Sequence, residues 1–363
     1  MASLAEMCLQ LTNACPMRCV HCSTRAGARD HDEMTPADHA RLISDFVAIG
    51  GKILEFSGGE PLVYPELNSL VNFASNLGLE VRLYSSGVVG FANGMAISPG
   101  ANRWKQLKIH GLQKVFFNLQ GDTPAFHERI SRLPGSFDAV TRSVAAAKSA
   151  GLFVGIHFVP MKPNHLRMEA TARLSAELGA DEFAVLRFVS QGRGADHHET
   201  LALSQDEFFR LLAEATRLRR ETSTIDIRLG CPLNYRFLAE PEGPVPSCKA
   251  GDTVCHVRPN GDVVPCSGFQ QELAVLGNAR TSSLGELWRN GLAWSRFRAL
   301  RADGPVPGSV EFVERNGDAC LAQLAITHQR VGRGVISTAV RRTDSGSLEL
   351  QETGKPPTPE ASL

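Results

Sequence analysis

Short apolar runs alternate with longer stretches in which apolar residues recur every three or four positions, from the start of the chain to about residue 215. The short runs are CLQLT (8–12), KILEF (52–56), EVRLY (80–84), KVFFNL (114–119), FVGIHFV (153–159) and FAVLRFV (183–189). Their length and their β-branched and aromatic content predict strands. Between them, ADHARLISDFVAIG, SFDAVTRSVAAAKSAG and HLRMEATARLSAELG carry helical spacing and close on glycine, as a helix end prefers. Six strand–helix units in series predict a parallel sheet with crossover helices. Six is two short of a closed eight-stranded barrel, so the α/β fold expected is a partial (β/α)6 barrel of the TIM type, with a doubly wound sheet as the alternative. Either fold puts its chemistry at the carboxyl ends of the strands.

A long helical stretch, QDEFFRLLAEATRLRRET, follows, and then the texture changes. From Gly230 to about Ala325, Gly and Pro are frequent, strand signals are short, and five cysteines appear. A small Cys-rich α+β domain is expected there, with metal supplying the stability its apolar residues do not. The boundaries expected are a core over 1–220, a bridging segment over 221–245, the Cys-rich domain over 246–325 and a tail over 326–363. The Pro-rich end of that tail, ETGKPPTPEASL, is expected to be disordered.

Charge narrows the function classes. Lys plus Arg equals Asp plus Glu at 38 each, so nothing favours nucleic acid or a membrane surface as partner. No apolar run approaches the roughly 20 residues of a membrane helix. The opening MASLAEMCLQLTNAC has no basic region and reads as no signal peptide, so the expected compartment is the cytoplasm. There thiols stay reduced, and nine cysteines, an odd number, point to metal or catalysis before disulfides.

Three of those cysteines, Cys15, Cys19 and Cys22, stand in a C-x3-C-x2-C pattern directly after the first strand. Three thiolates can hold three irons of a [4Fe–4S] cluster and leave the fourth iron open. A structural zinc with a further ligand such as His21 fits the spacing equally. After the second strand comes Ser57-Gly58-Gly59-Glu60-Pro61, in which Gly-Gly lets backbone approach a ligand and Glu60 adds a carboxylate. Alone it also reads as an ordinary strand-to-helix turn. Together the two motifs resemble the radical S-adenosylmethionine (radical SAM) superfamily, over the first 215 or so residues.

That resemblance implies a [4Fe–4S] cluster on Cys15, Cys19 and Cys22, with SAM chelating its open iron through the amino and carboxylate groups of its methionine part. It implies that Gly58, Gly59 and Glu60 meet the amino group and that Ser85 and Ser86 lie near the ribose or carboxylate. It places Asn118 at the SAM site, although many relatives carry Ser and Asp where Asn118 and Gln120 stand here. Arg187, expected to end the sixth strand, would pair with the SAM carboxylate; a structural ion pair is its other reading. The activity implied is reductive cleavage of SAM to a 5′-deoxyadenosyl radical that abstracts hydrogen from a substrate.

The later cysteines read CKAGDTVCHVRPNGDVVPC, with Cys248, Cys255 and Cys266 around the hairpin signal Pro259-Asn260-Gly261-Asp262, and Cys320 follows. Zinc fits four such cysteines by spacing. Beside the radical SAM motifs, the segment resembles the SPASM or twitch extension of that superfamily. The resemblance implies one auxiliary [4Fe–4S] cluster, ligated completely by Cys248, Cys255, Cys266 and Cys320. The stretch SVEFVERNGDAC lacks the cysteine-rich run that helps build a second auxiliary cluster. Cys8 is expected in the core, and Cys231 as a buried thiol, a spare ligand or a hydrogen-atom donor. ADHHE (195–199) reads as a solvated loop.

A closed auxiliary cluster suits electron transfer, so the function implied is a net oxidation. The runs SQGRGAD and CxAG…GDVVPC resemble peptide maturases of the mycofactocin type, which implies a ribosomally made peptide as substrate. The same chemistry on a sugar or other small natural product, whether dehydrogenation, epimerisation or decarboxylation, is the alternative. A non-catalytic iron–sulfur or zinc protein is a third reading, but the GGEP segment would be idle in it. The partners implied are a reductant such as flavodoxin or ferredoxin and, since the first strand begins at residue 8, a separate leader-peptide-binding protein.

Overall fold

The computed structural model describes residues 3–230, 248–270, 275–290, 320, 337–342 and 348–353. Its first half alternates strand and helix: β1 (Glu6–Gln10), α1 (Pro36–Ala48), β2 (Ile53–Ser57), α2 (Leu67–Asn76) and β3 (Glu80–Ser85). A small hairpin, β4 (Gly90–Ala92) and β5 (Met95–Ile97), precedes α3 (Ala101–Ile109) and β6 (Leu112–Asn118). Then come α4 (Pro124–Ser131), α5 (Ser136–Ser149), β7 (Phe153–Phe158), α6 (Met168–Glu177) and β8 (Glu182–Val185). Two short helices, α7 (Arg193–Asp196) and α8 (His198–Leu201), lead to α9 (Gln205–Glu221) and β9 (Asp226–Leu229). The Cys-rich region adds β10 (Val254–Val257), β11 (Asp262–Val264), β12 (Gly277–Asn278) and α10 (Leu284–Asn290).

Local chemistry sets the helix starts. Thr35 opens α1 with a capping box to Asp38 and a proline in the first turn, and Ser204 with Glu207 does the same for α9. The strands alternate. In β3, Val81 and Leu83 are fully buried, while Glu80, Arg82 and Tyr84 point to the other face. The apolar face packs on helices, as where Trp104 of α3 meets Phe117 of β6 edge-on at 5.2 Å.

The sheet has ten strands in the order β12-β11-β10-β1-β2-β3-β6-β7-β8-β9. The six core strands run parallel in sequence order, as the alternation predicts. The sheet extends beyond them. β9 adds parallel to β8, and β10 adds parallel to β1, opposing Glu6 to Val254 and Met7 to Cys255. The chain divides into two compact units, Met1–Gly230 with Lys249–Arg298, and Cys231–Cys248 with Ala299–Leu363. The start of the Cys-rich region is thus built into the main sheet. In the second unit, β13 (Ser337–Arg342) pairs antiparallel with β14 (Leu348–Thr353). Among the described residues, no helix is long and apolar enough to cross a membrane.

The last core strand is shorter than expected. β8 stops at Val185, where Gly230 N donates to the Val185 carbonyl (2.8 Å). Leu186 N still reaches the Phe158 carbonyl (2.8 Å), and the chain then leaves the sheet and crosses to the cysteine loop, where Arg193 N meets the Cys22 carbonyl (2.9 Å). Arg187 therefore lies past the strand end. The ADHHE segment forms parts of α7 and α8, and His198 Nδ1 lies 2.9 Å from Ser190 Oγ.

Burial holds several histidines neutral. His39, His127 and His157 are 0%, 2% and 8% exposed, and burial pulls them down to about 4, 3 and 3. A histidine in the unfolded chain takes a proton near pH 6.5, which these do not accept while folded. Stability should therefore fall as pH drops from about 6.5 toward 4, by up to about 1.4 kcal/mol per pH unit for each such histidine. Urea unfolding across that range measures it, and His157→Phe should flatten the dependence.

Candidate active site

β1 hands the chain to a long loop that carries Cys15, Cys19 and Cys22, all half-buried. The loop has little ladder of its own and is fixed by polar ties. Glu33, its side chain 1% exposed, accepts from Thr12 Oγ1 (2.9 Å), Asn13 N (2.7 Å) and Asp30 N (3.1 Å). Cys15 N donates to the Gly27 carbonyl (2.9 Å) and Gly27 N to that of Asn13 (2.8 Å).

The segment after β2 lies flat against this loop. Gly59 N donates to the Thr12 carbonyl (2.7 Å) and Glu60 N to the Ala14 carbonyl (2.8 Å). A Cβ on Gly59 would stand 2.3 Å from the Ala14 oxygen, and one on Gly58 2.6 Å from that of Thr12. Both positions must lack a side chain, and Gly58 also adopts φ +150°. Glu60 is fully buried and its carboxylate is saturated. Oε1 accepts from Ser85 Oγ (2.7 Å) and Leu62 N (3.1 Å), and Oε2 from Ser86 N (2.7 Å) and Ser86 Oγ (2.5 Å). Burial raises its affinity for a proton, and these four donors oppose that. The structure thus brings Gly58, Gly59, Glu60, Ser85 and Ser86 together beside the cysteine loop. It uses the Glu60 side chain to join the ends of β2 and β3 and leaves backbone as what the segment presents.

The far side of the loop is held by residues the motif search passes over. Arg193 donates Nε to the Cys19 carbonyl (2.9 Å) and Nη1 to that of Ala26 (2.8 Å). Gly192, at φ +54°, would place a Cβ 2.3 Å from the Ser23 carbonyl. Arg25 closes the loop with a bidentate pair to Asp196, both contacts at 2.6 Å. The signal for this clamp is the SQGRGAD run, whose Gly-Arg pair has a local reason only once the cysteine loop is in place.

The thiols are costly as the protein alone holds them. Cys15 is pushed up to about 12, by burial first and by the Glu60 carboxylate second. Cys19 is raised by burial and then by Cys15 and Cys22, with Arg193 offsetting part of it. Three thiolates here need added positive charge, which an iron cluster would supply. Among the described residues, no three His, Cys, Asp or Glu converge as a single ion would need. A cubic cluster takes one thiolate per iron, so its thiols stand further apart. His21 is held neutral, pulled down to about 4 by burial and by Arg193, and its buried Nδ1 has no hydrogen-bond partner.

The sheet face turned away from the helices is polar and layered. Toward the amino ends of the strands, Arg82 bonds Glu80 (2.6 Å) and approaches Glu55 (3.4 Å), Tyr84 donates to Glu55 (2.7 Å), and Lys114 meets Glu80 (3.0 Å). Cys8 belongs to this face, buried beside Glu55 in the register. Toward the carboxyl ends stand Gln10, Asn118 and His157, while His256 lies lower, opposite Cys8, with Nε2 3.3 Å from Gln10 Oε1. His157 stacks between Phe116 (5.0 Å) and Tyr84 (5.1 Å), and its buried Nε2 has no hydrogen-bond partner. Asn118 ends β6 opposite His157, whereas Gln120 is spent on β7, accepting from Val159 N (2.9 Å) and donating to the His157 carbonyl (3.2 Å). The Arg187 guanidinium lies 5.6 Å from the Phe208 ring centre.

In the Cys-rich region, β10 and β11 form the hairpin that the Asn-Gly signal predicts. Gly261 turns at φ +91°, and Asp262 N donates to Asn260 Oδ1 (3.1 Å). Cys255 is buried in β10 and Cys266 follows β11. Cys248 and Cys320 belong to the second unit and are both buried. Cys231 lies outside the described residues.

A parallel α/β sheet with a three-thiol loop at its carboxyl edge, and a glycine pair pressed on that loop, defines an iron–sulfur enzyme of the SAM-dependent kind. The chain belongs to the radical SAM superfamily: residues 9–174 match the model of that superfamily, and residues 248–309 match the SPASM iron–sulfur cluster-binding domain. It is 30% identical over 295 residues to PqqA peptide cyclase of Xanthomonas oryzae pv. oryzae, covering 80% of this chain and 75% of that protein. It is 27% identical over 306 residues to AdoMet-dependent heme synthase of Methanosarcina barkeri, covering 80% and 83%. Its fold matches that of Streptococcus suis SuiB with a TM-score of 0.66 over 82% of this chain and 68% of that one, at 18% identity. Its cofactors are a [4Fe–4S] cluster with SAM and an auxiliary iron–sulfur centre.

Removing the clamp should loosen the first centre. Arg193→Ala should weaken iron retention by about 10- to 100-fold, the range for a residue that supports metal ligands without touching the metal. Iron and sulfide per chain, followed during titration with a chelator after anaerobic reconstitution, measure the loss.

Proposed function

We propose that this enzyme makes a net oxidative change in a ribosomally made peptide. The observation that carries the reading is the 30% identity with a peptide cyclase, which runs through both the radical SAM and the SPASM regions. When bound, the cluster and SAM supply a 5′-deoxyadenosyl radical. In this reading Cys15, Cys19 and Cys22 hold the cluster, and the backbone at Gly58 and Gly59 faces SAM at the sheet edge. Glu60, Ser85 and Ser86 keep that backbone in place. Asn118 and His157 line the receiving end of the polar face, where His157 Nε2 is free to bond a substrate. Arg187 remains the candidate partner for the SAM carboxylate.

Cys248, Cys255, Cys266 and Cys320 would ligate the auxiliary cluster completely, leaving it to move electrons rather than bind substrate. A reduced flavodoxin or ferredoxin would deliver the first electron, and a separate protein would present the leader of the peptide. Such chemistry suits a reducing compartment such as the cytoplasm. The 27% identity with a heme synthase supports a second reading, the same radical chemistry on a small molecule.

Anaerobic reconstitution tests both levels. About eight irons per chain and reductive cleavage of SAM to 5′-deoxyadenosine are expected. Replacing Cys15, Cys19 and Cys22 together by alanine should remove about four irons and all SAM cleavage. About four irons in the parent enzyme would rule out the auxiliary cluster. Mass spectrometry of short peptides encoded beside the gene should show a loss of hydrogen from one of them. SAM cleavage with no peptide changed, and a small molecule consumed instead, would favour the second reading.

A further inference from the structure

The hairpin β4–β5 has no part in the site described so far, yet it is tied to the cysteine loop. Val88 at its foot packs in a buried cluster with Met17, Leu133 and Ala139, and Ala96 of β5, Cys15 and Cys19 all lie against that cluster. Ala96 N also donates to the Pro134 carbonyl (2.8 Å). One apolar layer therefore stands between the hairpin's outer surface and two of the three thiols.

That outer surface is unusual for this molecule. Met95 and Ile97, on the face away from Ala96, are 51% and 42% exposed, and Phe91, which pairs with Ala96 and shares its face, is 61% exposed; half of the exposed large hydrophobic residues among those described fall within these seven positions. The elements around it are rimmed with arginine. Arg18 is exposed within the cysteine loop, Arg129 on α4 and Arg132 just beyond it, and Arg142 on α5 reaches Ser98, next to β5 (3.4 Å). Arg132 sits between Ser131, whose carbonyl accepts from Arg18 N (3.4 Å), and Leu133 of the buried cluster. The acidic residues on α4 and α5 near this rim are Glu128, half-buried and accepting from Phe137 N (3.5 Å), and Asp138. Arginine outnumbers acid.

We propose that this hairpin and its arginine rim form the docking surface for an acidic one-electron carrier protein that reduces the SAM-binding cluster. The proposal rests on the assignment of that cluster to Cys15, Cys19 and Cys22. Tunnelling falls steeply with distance, so a carrier must seat where the cover over the thiols is thin. The hairpin follows β3 at the carboxyl edge, and its Met95–Ile97 face is turned away from the cluster that backs Cys15 and Cys19, which leaves that face open to a carrier. An apolar centre within a charged rim is how protein interfaces are built, and opposite charge speeds encounter. In the step itself, one electron leaves the reduced carrier and enters the oxidised cluster; no bond forms or breaks and no proton moves.

The test uses the reconstituted full chain and two double variants, Met95→Ser/Ile97→Ser and Arg129→Glu/Arg132→Glu. None of these residues contacts the thiols or the SAM-facing segment, and Arg18 is left alone because it bonds the Cys15 carbonyl (3.0 Å). SAM cleavage is measured with dithionite, with reduced flavodoxin and with reduced ferredoxin. With dithionite, both variants should stay near the parent rate and keep its iron content. With at least one carrier, each should lose about tenfold or more in kcat/KM, chiefly through KM, and the arginine variant should lose the parent's salt dependence. Unchanged kcat/KM with both carriers overturns the proposal. So does an equal loss with dithionite in both variants, which would make the hairpin a structural support. Loss of substrate turnover with carrier-driven SAM cleavage intact would assign the face to the substrate. A change of oligomeric state with carrier kinetics unchanged would assign it to a second copy of the chain. Either of these also overturns it. No SAM cleavage by the parent with dithionite would instead fail the enzyme reading beneath the proposal.

Discussion

The approach of Gly59 to the Ala14 carbonyl is the contact on which the site depends. The loop between β1 and α1 must hold three thiols at a fixed spacing, yet it has no regular structure of its own. It borrows order from the segment after β2 through two backbone hydrogen bonds that only side-chain-free residues allow. That segment is itself pinned by the Glu60 carboxylate, with a donor for each of its roughly four acceptor positions. Bonds to a buried charge are worth about 1.5 to 3 kcal/mol each, and losing the carboxylate would release four donors at once, two of them buried. The chain of dependence runs from Ser85 and Ser86 through Glu60 and Gly59 to the cysteines. Residues on three strand ends thus act as one unit.

The strands were legible in the sequence because their apolar faces repeat with period two, and the cysteine loop because its ligand spacing is local. What the sequence hid was long-range. Nothing in VCHV or DIRL tells that they pair with β1 and β8, since those partners lie 248 and 44 positions away. Glu60 reads as a ligand-facing carboxylate until Ser85 and Ser86 are seen to surround it. FAVLRFV has strand composition throughout, but its second half is pulled off the sheet to place Gly192 and Arg193 on the cysteine loop. The hairpin between β3 and α3 went unread because its strands are three residues each, too short for a period to show.

The polar face of the sheet divides its work along the strands. Near the amino ends, Glu55, Arg82, Tyr84, Glu80 and Lys114 pair with one another, with Glu80 and Lys114 at the partly exposed edge of the group. Such a network adds little net stability, since each charge also loses its hydration. Its effect is to fix the floor. Near the carboxyl ends the groups are neutral. His157 is held uncharged by burial and by Arg228, and Asn118 stands opposite it. A radical enzyme has to hold a polar substrate beside a reactive intermediate, and a fixed floor beneath hydrogen-bonding groups serves that demand.

The same sheet also bears on the second iron–sulfur region. Because β10 pairs with β1, Cys255 stands opposite Met7, four residues before the cysteine loop begins at Leu11. At roughly 3.3 Å per residue, that is about 13 Å along the strand direction. The distance is set by a hydrogen-bonded ladder, not by a linker. A substrate-derived electron that has to reach an auxiliary centre needs a fixed, short path, and a flexibly tethered domain would not give one. Under the proposed oxidative reading, that ladder would hold Cys255 at a constant distance from the first cysteine loop.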